Sequence, residues 1–139
     1  MQRHIVVCAA CLFLAFATPS YGADGAVLTA QNIISAQIDA FLKDDAQRAY
    51  SYASPGIQQM YPSPDIFFEM VKRAYGPVYR PGNYAFGRSE MTANGVTQEV
   101  LIHASDGQDW TALYTLERQS DGSFKISSVH MIKSAPPST

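Results

Sequence analysis

Three dipeptides constrain this chain more than any other feature: Asn94-Gly95, Asp106-Gly107 and Asp121-Gly122. Asn-Gly and Asp-Gly provide the positive φ that tight hairpin turns need, and each separates two runs of alternating apolar and polar residues. Those runs, Tyr84–Thr92, Val96–Ala104, Asp109–Arg118 and Phe124–Lys133, read as four strands of an antiparallel meander. Upstream the period is helical. Thr29 is placed to cap a helix over Ala30–Asp44, with Ile34, Ile38, Phe41 and Leu42 on one stripe and Gln31, Ser35, Asp39 and Lys43 opposite. Asp44-Asp45 precedes a second helix, Ala46–Ala53. Ser54-Pro55 and Ser63-Pro64 each set a capping hydroxyl before a proline at the first helical position. The first opens a single turn, Pro55–Tyr61. The second opens a helix, Pro64–Tyr75, which buries Phe67, Met70, Val71 and Ala74 with Phe68 on its flank and stops at Gly76-Pro77. The expected fold class is α+β: three N-terminal helices packed on a curled four-stranded antiparallel meander.

The first residues follow a different logic. Arg3 precedes a short apolar run, Ile5–Ala17, and small residues through Gly22 and Ala23 lead to the first acid, Asp24. That order is expected of a cleaved secretory signal peptide, residues 1–22, because a spanning helix needs ~20 apolar residues. The expected location is periplasmic or secreted, with one roll domain at 29–133 and a loose tail at 134–139. Both cysteines, Cys8 and Cys11, fall in the leader, so the mature chain is expected to lack disulfides, thiol nucleophiles and thiolate ligands. Losing Arg3 takes the ten Lys and Arg to nine against twelve Asp and Glu. That mildly acidic balance offers nucleic acid no electrostatic footing, and no membrane surface is expected as a partner after cleavage.

Several residues carry a resemblance. Ser54-Pro55-Gly56-Ile57, Met70-Val71 with Tyr75, Val78-Tyr79-Arg80-Pro81, Gln98, Trp110 with Tyr114, and Glu117-Arg118 before Asp121-Gly122-Ser123 resemble an exported bacterial family, domain of unknown function 4864, over Asn32 to Met131. The order of helices then curled sheet also resembles the nuclear-transport-factor-like cone, a cystatin-like α+β roll. That superfamily holds isomerases, dehydratases, hydrolases and non-catalytic dimerisation domains, so the resemblance implies a concave pocket and leaves its use open.

Strand parity sorts the candidate site. Trp110, Ala112, Tyr114 and Leu116 share an inward face, and so do Val96, Gln98, Val100, Ile102 and Ala104, sending Glu99 and His103 out. Phe124 and Ile126 carry His130 inward unless a bulge intervenes, and Tyr84 and Phe86 carry Arg88 and Glu90. Buried polar groups need partners, so Gln98, Tyr114 and His130 either satisfy one another or meet a ligand. The expected ligand-binding residues are Gln98, Tyr114, Trp110, Tyr79 and Arg80, the last two in a stiff Pro-flanked segment where Arg80 offers a fork of donors to a carboxylate. His130 and Glu90 are the only candidate catalytic groups for acid–base chemistry. No cofactor and no metal site are expected, since His103 and His130 fall on opposite faces and phosphate loops and Gly-x-Ser-x-Gly are absent. Leu101, Leu113, Val129 and Met131 share the outward parity and form an expected homodimer patch. Two functions follow: a non-catalytic module binding a small molecule or a second copy, or a cofactor-independent enzyme of isomerase, dehydratase or hydrolase type.

Overall fold

A computed structural model of the protein describes residues 22–134, so the expected leader up to Tyr21 and the tail after Ser134 lie outside the described residues. Five helical segments, α1 (Ala23–Leu42), α2 (Ala46–Ser51), α3 (Pro55–Met60), α4 (Pro64–Ala74) and α5 (Gly76–Tyr79), precede four strands. The strands β1 (Pro81–Met91), β2 (Gly95–Ala104), β3 (Asp109–Arg118) and β4 (Phe124–Lys133) form one antiparallel sheet in chain order. The α+β class and the meander agree with the sequence.

The helices depart from expectation in three places. α1 starts at Ala23, so Thr29 is no cap; its hydroxyl donates to the Gly25 carbonyl at 2.9 Å inside the helix. Ala26 and Ala30 extend the buried stripe towards the N-terminus, where small side chains let the helix lie close to the sheet. Leu42 and Ala74, expected inside, are exposed, and Phe68 is buried with Phe67 and Val71. The helix from Pro64 stops before Gly76-Pro77 as expected, but the same dipeptide opens a further turn, with Tyr79 N–H on Tyr75 O and Arg80 N–H on Gly76 O, both at 2.9 Å. The other expected caps hold: Asp45 accepts from Arg48 N–H, Ser54 from Ile57 N–H and Ser63 from Ile66 N–H.

The core lies between α1 and the inner sheet face. Ile34, Ile38 and Phe41 meet Val96, Val100, Ala112, Tyr114 and Leu116, all fully or almost fully buried. Each such aliphatic side chain contributes about 1.5–3 kcal/mol relative to exposure. β2 and β3 follow the expected parity throughout.

The two edge strands do not. In β1, Gly87 and Arg88 both stand opposite Glu99, because Phe86 pairs with Val100 and Ser89 with Gln98. In β4, Ser127 is the extra residue between the Leu116–Ile126 and Thr115–Ser128 pairs. Each bulge reverses side-chain parity beyond it. Arg88 and Glu90 are therefore exposed on the outer side, not inside with Tyr84 and Phe86. His130 is likewise exposed, opposite Leu113, while Val129 and Met131 turn inward against Tyr114 and Ala112.

Candidate functional site

Gln98 is inside, as parity requires, and its polar ends are fully engaged. Its Nε2 donates to the carbonyls of Gly87 at 3.2 Å, Arg88 at 3.3 Å and Glu99 at 2.9 Å, and its Oε1 accepts from Gln31 Nε2 at 3.1 Å. From the outer side the Glu99 carboxylate accepts the Arg88 N–H at 3.2 Å. The β1 bulge is thus satisfied from both faces, by an amide inside and a carboxylate outside. Tyr114, the cross-strand neighbour of Gln98, is completely buried, and its hydroxyl has no hydrogen-bond partner among the described residues. Burial, with Tyr84 nearby, pushes that phenol above its ordinary range.

Arg80 and Tyr79 sit elsewhere, at the C-terminal end of α1. The Arg80 guanidinium donates to Phe41 O and Tyr79 O and pairs with Asp44 Oδ1 at 2.9 Å, stacked 4.0 Å from the Tyr79 ring centroid. Tyr79 hydroxyl donates to the same Asp44 oxygen at 2.6 Å, and the two contacts hold the Asp44 carboxyl below its usual range. This cluster clamps the end of α1, where Asp44 itself has φ of 53°. Trp110 is half-buried at the far end of the inner face, with the Lys133 ammonium 5.9 Å from its ring, so it is not the deeply buried core residue the pattern implied. The structure brings Gln98 and Tyr114 together and leaves Arg80, Tyr79 and Trp110 apart from them. His130 and Glu90 reach no inner site, and His130 joins His103 on the outer face, where His103 Nδ1 lies 2.7 Å from Asp109 Oδ1. Among the described residues no three His, Cys, Asp or Glu side chains gather as a metal site, and no helix is long and apolar enough to cross a membrane.

A cavity of about 220 Å³ opens between α1, α3, α4, α5 and the bulged half of β4. Phe41, Phe67, Val71 and Val78 form its inner wall, Ile126, Ser127, Ser128 and Val129 its sheet side, and Ile57, Met60, Tyr61, Met70 and Tyr75 its rim. None of the five expected ligand-binding residues lines it. The residue that sequence reasoning missed is Gln37. It is buried on the apolar stripe of α1, one turn from Phe41, and its Nε2 donates to Ala49 O at 3.1 Å. Gln37 lines the cavity, and no hydrogen bond to its Oε1 is made among the described residues. A glutamine at i+3 from Ile34 on a buried stripe was the available signal. No lining residue carries a carboxylate, imidazole, ammonium or guanidinium; the polar groups are the Gln37 amide, two serines and two tyrosines.

Residues 24–139 match the model of the family described as Domain of unknown function (DUF4864). No curated protein and no solved structure matches the chain.

Proposed function

The chain belongs to this family, whose description names no activity, and we propose that it is an exported, non-catalytic binding module for a small, largely apolar molecule held between the helices and β4. The roll is of the cystatin-like, nuclear-transport-factor-like kind, a reading supported by the helices on one face of a bulged antiparallel sheet. The observation that carries the function is the cavity of about 220 Å³ whose wall is apolar apart from a few neutral groups. An apolar protein cavity of ~150 Å³ accepts benzene, so this one suits a single ring with a few further carbons. Gln37 Oε1 offers one acceptor, which favours a ring bearing an O–H or N–H donor. Acid–base catalysis draws no support here, because its candidates His130 and Glu90 stand on the outer face and the wall holds no carboxylate or imidazole.

The test is a titration of the protein with p-cresol and with toluene, followed by thermal melting and by chemical shifts of the lining methionines. At ten times its dissociation constant p-cresol stabilises by about 1.4 kcal/mol, a rise of roughly 3–6 °C for a domain of this size. Toluene, lacking the donor, binds several-fold more weakly. Met70→Trp fills the cavity and removes the p-cresol response. Equal indifference of the wild-type protein to both molecules overturns the reading.

A further inference from the structure

The two edges of the sheet are unequally protected. β1 carries devices that discourage pairing with another strand: Pro81 at its start, the bulge at Gly87–Arg88, and the exposed charges of Arg88 and Glu90. β4 is covered over one residue only. Ile126 N–H donates to Tyr52 O at 2.9 Å and Ile126 O accepts from Ser54 N–H at 2.8 Å, so the chain itself adds Ala53 in parallel to this edge. Beyond the bulge no described residue pairs with the edge. Ser134 N–H donates to Asp109 O at 2.9 Å, which sets the phase of the β3–β4 ladder. In that phase Ser128, His130 and Ile132 turn their backbone groups to β3, and Val129, Met131 and Lys133 turn theirs away from the sheet. Among the described residues nothing pairs with the N–H and C=O groups of those last three.

We propose that a second copy of this chain pairs here, β4 against β4, antiparallel about a two-fold axis at Met131. In that register Met131 stands opposite the partner subunit's Met131, and Val129 opposite the partner subunit's Lys133. Every pair is of the hydrogen-bonded type, so all the free groups on both strands are matched. A slip of one residue would face them with groups already turned to β3 and leave them unpaired. The charges do not oppose this register: the two Lys133 ammonium groups lie at opposite ends, ~14 Å apart along the strands. The segment Tyr52–Ser54 limits the partner strand to the stretch past the bulge, and so fixes where pairing begins. The expected dimer patch on the outer face loses Val129 and Met131 to the inner face, yet the same two residues supply the edge.

The experiment uses the full chain with Cys8→Ser and Cys11→Ser, studied by sedimentation up to about 0.5 mM, where a weak dimer is populated by mass action. A dimer is expected. Met131→Cys places two thiols on the two-fold with Cα atoms ~5.5 Å apart, within disulfide range, and oxidises to a covalent dimer, whereas Leu101→Cys on the outer face does not. Met131→Pro removes an N–H that the single chain does not use, keeps its circular dichroism and sediments as a monomer. A wild-type monomer at the highest concentration, a dimer that survives Met131→Pro, or a cross-link through Leu101→Cys in place of Met131→Cys overturns the proposal. Should Met131→Pro fail to fold, the Met131→Cys cross-link decides alone.

Discussion

The bulge in β1 and the bulge in β4 are the same event in sequence terms, one extra residue in an edge strand, and they have opposite consequences. At Gly87–Arg88 the disrupted ladder is closed from inside by Gln98 and from outside by Glu99, and Gln31 ties the arrangement to α1. At Ser127 the only side-chain closure among the described residues is the Ser127 hydroxyl on Thr115 O at 3.1 Å, and Ser127 through Val129 border the cavity. The buried amide marks the sealed bulge, and the cavity lies at the bulge flanked by Ser127 and Ser128. A buried glutamine in this sheet is thus a sign of a backbone that needed satisfying, and it lies away from the cavity.

The sharpest way to break that contrast is Gln98→Leu. The change keeps most of the volume but leaves the carbonyls of Gly87, Arg88 and Glu99 and the amide of Gln31 without the partner that the buried Gln98 supplies. It should cost about 2–4 kcal/mol in urea unfolding, a large share of the stability of a domain this size. The response to p-cresol, measured on the fraction that remains folded, should persist. Loss of less than about 1 kcal/mol would mean that the β1 bulge is not sealed by Gln98. Ser127→Ala is the matching change at the other bulge. Only one hydrogen bond is lost beside an open space, so about 0.5–1 kcal/mol is expected. Equal costs at the two sites would erase the distinction between a sealed and an open bulge.

Most of the scaffold was legible because its signals are local. Asp106-Gly107 and Asp121-Gly122 turn with Gly107 and Gly122 at φ of 83° and 85°. Gly95 also tolerates no side chain, since a Cβ there would run into Leu116 O. Ser54-Pro55 and Ser63-Pro64 start helices as capping chemistry dictates. The site was not legible, because strand parity is a long-range count that a single inserted residue inverts. Arg88 lies in a bulge and Glu90, His130, Val129 and Met131 lie beyond one, so unbroken alternation puts all five on the wrong side of the sheet. Gly87 was the overlooked signal, an isolated glycine within a strand pattern. In β4 the apolar Val129 and Met131, on the parity opposite to Phe124 and Ile126, already signalled a possible bulge. Gln37 was not legible for another reason: one glutamine beside the apolar stripe of a helix reads as part of its polar flank.

The smallest effect tests the residue between the two bulges. Tyr114 pairs with Gln98 on one side and Val129 on the other, and its hydroxyl is buried without a partner among the described residues. Replacing it with phenylalanine removes an oxygen that water would have solvated in the unfolded chain, while the ring keeps its contacts. Tyr114→Phe should therefore leave the fold unchanged and raise stability by about 0.5 kcal/mol near neutral pH. Alkaline titration then separates the two proteins further. The unfolded phenol gives up its proton near the ordinary value of 10.0, whereas burial keeps the folded one protonated to higher pH. Because the folded pKa is the higher, the wild-type chain loses stability as pH rises past that value, by up to about 1.4 kcal/mol per pH unit. The variant lacks this loss, so its advantage should widen above pH 10 and stay constant below pH 9. A Tyr114→Phe protein less stable than wild type by 1 kcal/mol or more would mean that the hydroxyl has found a partner, and that the row between the bulges is sealed across its whole width.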